Sequence, residues 1–160
     1  MKKIALILFF AFFCSHAAAE PLLLRLKVTK IEFTKHCSNC ENNPMPWSYW
    51  HIYTGKIIQV IDGKYSKKTI RFGLLQHAKY ELRYVKDVYV VVEHADKDTE
   101  TKLGVEYLTD HISMPHAVVC ISPEAIEKLS DRERYEDSLM TGSKSCYYRE
   151  KLDAPRNEDE

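Results

Sequence analysis

From Leu22 to Thr29 apolar and polar residues alternate, with Leu22, Leu24, Leu26 and Val28 on one side and Arg25, Lys27 and Thr29 on the other. A period of two marks a strand with one buried face. Past Thr29 the phase changes. Ile31 and Phe33 become the apolar positions, which predicts a β-bulge near Lys30 in a strand running to Thr34. The stretch from Trp47 to Leu75 carries the clearest pattern: Ile57, Ile58, Val60 and Ile61 precede Asp62-Gly63, and Ile70 and Phe72 follow it. Branched and aromatic side chains suit a pleated, half-buried surface, and the Gly of Asp-Gly accepts the positive φ of a tight turn. A long hairpin is therefore predicted, its tip widened by Lys64 to Lys68 and its first strand bent at Gly55.

Further on, Gln76 to Tyr80 reads as a helical turn or loop. Glu81 to Glu93 reads as a strand with Val85, Val88, Val90, Val91 and Val92 as its core. Ala95 to Lys102 reads as a solvated charged turn, Gly104 to Met114 as an irregular loop, and Ala117 to Ile121 as a short buried strand. Ser122-Pro123-Glu124 has the form of a helix start, with a hydroxyl cap, a proline at the first helical position and an acid in the first turn. That helix is expected to run to about Met140, to show Ile126, Leu129 and Leu139 to the core, and to stop at Gly142. A long strand bent at a glycine can serve two sheet segments and so close a sheet on itself. The prediction is a mainly β fold: a small OB-like Greek-key β-barrel with one C-terminal helix packed on it.

The segments YTGKIIQVIDG (Tyr53–Gly63) and KTIRFG (Lys68–Gly73) resemble the opening hairpin of secreted OB-type modules of the tissue-inhibitor and netrin kind. The resemblance covers about a quarter of the chain after residue 19 and implies a module that binds and inhibits other proteins without catalytic residues of its own. That family's amino-terminal cysteine, which supplies a free α-amine, has no counterpart in a chain starting at Glu20. Metalloproteinase inhibition is not implied.

Composition changes this picture mainly at the ends. Residues 1–19 have the form of a signal peptide: Lys2 and Lys3, an apolar run from Ile4 to Phe13, and Ala17-Ala18-Ala19 as the cleavage site. The run is shorter than the roughly 20 residues a bilayer span needs. Cleavage after Ala19 is favoured over a lipoprotein anchor at Cys14, because Phe12 and Phe13 stand where lipoprotein signals carry small residues. An exported chain is expected, in the periplasm of a Gram-negative bacterium, with no membrane anchor after cleavage. The expected organisation is a single β-barrel domain over 20–152 and a disordered charged tail over 153–160. Losing Lys2 and Lys3 lowers the 23 basic residues to 21 against 23 acids, and this near balance argues against nucleic acid as a partner.

Of the five cysteines, Cys37, Cys40, Cys120 and Cys146 lie beyond the leader. An even number in an oxidising compartment favours disulfides, with three possible connectivities; Cys120–Cys146 is the preferred pair, and Cys37 and Cys40 would then pair locally or remain a dithiol. Cys-x-x-Cys is also the spacing of redox dithiols and of half a zinc site. Here Asn42-Asn43-Pro44-Met45-Pro46 follows, which does not open a long helix, and neither a second Cys-x-x-Cys nor a His-x₃-His accompanies it. His36, His51, His77, His94, His111 and His116 sit in loop-like contexts, and Asp110-His111 with Ser113 lacks a nucleophile setting such as Gly-x-Ser-x-Gly. No catalytic residue, metal ligand or cofactor is assigned.

The remaining candidates are surfaces. Trp47, Tyr49, Trp50 and Tyr53 form an aromatic concentration, and Lys64, Lys67 and Lys68 make the hairpin tip basic. Tryptophan and tyrosine are enriched at binding hot spots, but such rings also cap barrel cores. Alternation puts Trp47, Tyr49 and Tyr53 on one face and Trp50 with Ile52 on the other. The leading expectation is a non-catalytic binding module with a protein partner in the cell envelope, of inhibitor or immunity type. The alternatives are a thiol-disulfide or metal-binding protein using Cys37 and Cys40, and a glycan or small-ligand binder.

Overall fold

The computed structural model describes residues 20–37, 40, 47–114, 118–131, 135, 139–141 and 144–154. The expected signal segment, His116 and residues 155–160 of the expected tail lie outside them.

Strands β1 (Leu22–Cys37), β2 (Tyr49–Asp62), β3 (Thr69–Gln76), β4 (Val88–His94) and β5 (Tyr107–Thr109) form a closed barrel in the order β1-β2-β3-β5-β4. The long β1 closes it by pairing with β2 along its length and with β4 from Leu22 to Leu26. β3 and β5 run parallel, so the chain crosses over between them, and the result is the expected OB-like barrel. The predicted bulge is present, as a register shift between Val28 and Lys30. β2 passes unbroken through Gly55, which pairs with both Val28 and Ile70. Gly63 adopts φ 82°, and a Cβ there would lie 2.5 Å from Leu22 Cδ2, so the turn needs a glycine.

The barrel interior takes Leu22, Leu24, Leu26 and Val28 from β1, as their alternation predicts, with Ile70, Val88, Val90 and Val92. At its centre Tyr53 and Phe72 stack with centroids 5.4 Å apart. Burying each such aliphatic or aromatic side chain contributes about 1.5–3 kcal/mol.

Past the barrel the chain departs from expectation. A second sheet, in the order β7-β9-β8, is built from β7 (Val118–Ile121), β8 (Leu139–Thr141) and β9 (Lys144–Tyr148), while β6 (Ile112–Ser113) adds to β4. This layer lies over the outer wall of the barrel, where Val119, Ile121, Leu129 and Tyr147 cover Leu23, Ile61, Tyr89 and Val91. Leu23 is 0 % exposed for that reason, although it points away from the barrel interior.

The helix expected from Ser122 to Met140 is corrected to α2 (Pro123–Ile126), and Leu139 and Met140 belong to β8. The Ser122 cap is as predicted, its hydroxyl accepting the Ala125 N–H at 3.3 Å. Past Ile126 the chain tightens, with the Lys128 N–H on the Ala125 carbonyl at 3.3 Å and the Leu129 N–H on the Ile126 carbonyl at 3.0 Å, and the Asp62 carboxylate then takes the backbone N–H groups of Ser130 and Asp131, each at 3.3 Å. Those two amides are thereby withheld from the carbonyls of Ile126 and Glu127, which a continuing helix would need. Ala95 to Lys102, expected as a turn, contributes most of α1 (Lys97–Leu103), capped by Asp96 and ended by Gly104 at φ 66°. The strand expected from Glu81 starts at Val88, after a turn over Leu82–Tyr84, and the expected loop over 104–114 holds β5 and β6.

The C-terminal helix α3 (Arg149–Asp153) is held by charge. Arg25 meets Asp87 with two bonds of 3.1 and 2.7 Å and reaches Asp153 at 3.1 Å. Tyr89 and Arg149 also donate to Asp153, at 2.7 and 3.2 Å. Asp153, the first residue of the expected tail, is thus an anchoring residue.

Candidate binding groove on the barrel wall

The sequence-derived aromatic candidates separate in three dimensions. Tyr53 is 0 % exposed inside the barrel; its hydroxyl accepts from Gln76 Nε2 at 2.8 Å, and burial pushes its pKa up to about 12. Tyr49 and His51 flank Phe33, with centroids 5.4 Å away in each case. Trp47 is 76 % exposed and meets the ring of His77 edge-on, while its carbonyl contacts His77 Nδ1. Trp50 faces the other way, onto the outer wall. Lys64, Lys67 and Lys68 are exposed at the hairpin tip, and Lys67 Nζ reaches Glu106 at 3.3 Å.

Cys120 and Cys146 face each other across β7 and β9 with Cα atoms 4.0 Å apart and are joined, as expected. For a separation of 26 residues the chain-entropy model assigns such a closure about 3–4 kcal/mol. Cys37 and Cys40 are within disulfide distance at the end of β1; Cys37 is buried, Cys40 is exposed, and the Cys37 N–H donates to Cys40 Sγ at 3.2 Å. Among the described residues no group of three or more His, Cys, Asp or Glu side chains is arranged to hold a metal ion.

The histidines also occupy separate places. His51 is buried on the Tyr49 carbonyl at 3.0 Å, and burial lowers its pKa. His111 lies 3.1 Å from Lys144 Nζ, and burial, then the lysine charge, lower its pKa. His94 packs on Tyr107, with centroids 4.5 Å apart.

One concavity combines several elements. Trp50 of β2, Leu75 of β3, Leu108 of β5 and Val91 of β4 form its apolar floor, and Ala125 of α2 forms a wall. Its volume is ≈ 660 Å³, within the range of about 300–1,000 Å³ found for ligand sites. Gly73 makes the floor possible: a Cβ there would lie 2.9 Å from Leu108 Cδ2 and 3.3 Å from Trp50 Cε3. On the α1 side, Leu103 and Val105 pack with Ile52 beneath Trp50 and Leu108.

The rim is acidic. Glu93, Asp110 and Glu124 stand around the floor with Lys128 and His94. Lys128 Nζ is engaged by both Glu93 carboxylate oxygens at 2.8 Å. Asp110 accepts from the Ser122 hydroxyl at 3.5 Å, and neither it nor Glu124 has an ion-pair partner among the described residues.

Of this site only Trp50 was marked in the sequence. Val91 read there as a core position of its strand, Leu108 fell in an expected irregular loop, and Leu75 and Ala125 carried no assignment, since each belongs to a different element. Comparison with known proteins finds no matching family model, no matching curated protein and no matching solved structure.

Proposed function

We propose that this chain is an exported binding module that recognises another protein in the cell envelope, as an inhibitor or immunity-type partner, and does so through the groove around Trp50. The single observation that carries the reading is the groove itself: an apolar floor with one tryptophan, framed by charged side chains, on the wall of a barrel whose interior is filled. Partly buried aromatic anchors within a polar rim are the usual anatomy of protein recognition. Export is supported by the leader-like residues 1–19 and by two cysteine pairs at bonding distance, which suit an oxidising compartment. The resemblance of Tyr53–Gly63 and Lys68–Gly73 to secreted inhibitory modules points the same way.

The test is site-specific photocrosslinking in a Gram-negative host expressing the full chain. A photoreactive residue replaces Leu108 in the groove or Ile58, an exposed side chain of β2 outside it. A discrete protein adduct from position 108, absent from position 58 and found in the periplasmic fraction, is the expected result. No adduct from 108, or a chain retained in the cytoplasm, would sink the reading.

The exposed Cys40 favours a second reading, thiol-disulfide exchange with an external dithiol. A thiolate attacking Cys40 Sγ would release Cys37 as the leaving thiolate, and a second thiolate would complete the reduction. An oxidised pair that survives reduced thioredoxin-type dithiols, and reduced protein inert towards insulin, would remove it.

A further inference from the structure

We infer that the groove takes a convex segment of its protein partner, a loop or helix face that presents one aliphatic or aromatic side chain flanked by lysine or arginine. This rests on the groove being a protein-binding site and adds the chemistry of what enters it.

The mode of approach follows from the floor. β5 is hydrogen-bonded on both sides, to β3 through Phe72–Leu74 and to β4 through Glu93 and His94. No strand edge is open there, so an incoming segment cannot add to the sheet by backbone pairing. It must enter face-on and fill the space with a side chain. Trp50, Leu75 and Leu108 offer that side chain an apolar seat, and removing its surface from water favours binding.

The rim selects the flanks. Three carboxylates, one lysine and His94 surround the seat, and the lysine is already satisfied by Glu93. Asp110 and Glu124, both exposed, remain as anionic positions beside the apolar seat, so a cation flanking the entering side chain meets opposite charge. An acidic flank would face like charge on both sides, which costs specificity rather than supplying it.

The experiment uses the oxidised protein with Trp47→Phe, leaving Trp50 as the one indole. Three disulfide-closed loop peptides carry Lys-Phe-Lys, Glu-Phe-Glu or Lys-Ala-Lys at the tip. The Lys-Phe-Lys loop should shift Trp50 emission to the blue and bind at least about tenfold more tightly than either of the others. Asp110→Lys with Glu124→Lys should reverse the preference between the two phenylalanine loops, and about 0.5 M salt should narrow it. Equal binding of the basic and acidic loops, preference for the acidic one, or binding of none overturns the inference. A protein adduct from position 108 with any of those outcomes would leave the groove as a binding site and remove only the proposed chemistry. Loss of that adduct would remove both.

Discussion

Replacing Asp62 by alanine tests the contact that ties the segment after α2 to the end of β2. The carboxylate is 0 % exposed at the end of β2. It accepts the backbone N–H groups of Ser130 and Asp131 at 3.3 Å, the Ser130 hydroxyl, and the Tyr135 hydroxyl at 3.2 Å. Ser130 is exposed, so water can replace the carboxylate at its two donors. The Asp131 amide is half-buried and the Tyr135 side chain is buried, so these two contacts decide the loss. Each hydrogen bond to a charged group contributes about 1.5–3 kcal/mol, so the two contacts that water does not replace contribute about 3–5 kcal/mol together once the relieved desolvation of the carboxylate is set against them. Asp62→Ala should therefore destabilise by about 3–5 kcal/mol. Asp62→Asn, which keeps an acceptor oxygen without the charge, should cost about half as much. Urea unfolding reads this as a lower midpoint with an unchanged slope. Hydrogen exchange should show residues 122–131 opening before the barrel strands. A stability within about 0.5 kcal/mol of the parent, the range of ordinary surface changes, would refute the assignment of Asp62 as the anchor.

Gly73→Val should push Leu108 and Trp50 into the groove, red-shift Trp50 emission in the Trp47→Phe background, and destabilise by about 1–3 kcal/mol. An unchanged spectrum would contradict the close packing over Gly73. Stability should fall with acidification. Burial holds the pKa values of His51 and His111 below their usual 6.5, so the unfolded chain takes up protons first. The contribution of both is intact above about pH 6.5 and is lost as pH drops through the folded values, and His111→Gln should flatten the urea midpoint against pH. Replacing Cys120 and Cys146 by alanine should cost about 3–4 kcal/mol, read by the same unfolding curves, with Cys37 and Cys40 left in place.

The barrel was legible because its signals are local. Alternation through Leu22–Val28, the phase change near Lys30 and Asp62-Gly63 each depend on a few neighbouring residues, and each has its structural counterpart. α1 had local signals too, in the Asp96 cap and Gly104, but its charged sequence buries only Leu103 and so carries little helical periodicity. The C-terminal layer was illegible for a different reason. The propensity of 123–140 favours a helix, and it is overruled by Asp62, 68 and more positions earlier in the chain. Leu23 and Ile61 gave no sign that the outer wall would be covered, since an apolar residue among others does not say which face it serves.

The same non-local layer explains why the groove lies where it does. One part of the barrel wall is covered by β7, β9 and α2, and another by α1. The strip left between them holds Trp50, Leu75 and Leu108, and Ala125 of the covering layer forms its side. The groove is thus a gap between two coverings, and its width depends on how firmly the C-terminal layer is attached. Asp62 with the residues after α2, and Arg25 with Asp153 at the end of α3, attach it to the barrel, and the Cys120–Cys146 bridge braces the sheet itself. None of them lines the floor. A change at any of these distant positions should therefore reach recognition by moving Ala125 and Lys128 relative to Leu108, which ties the stability of the layer to the shape of the site.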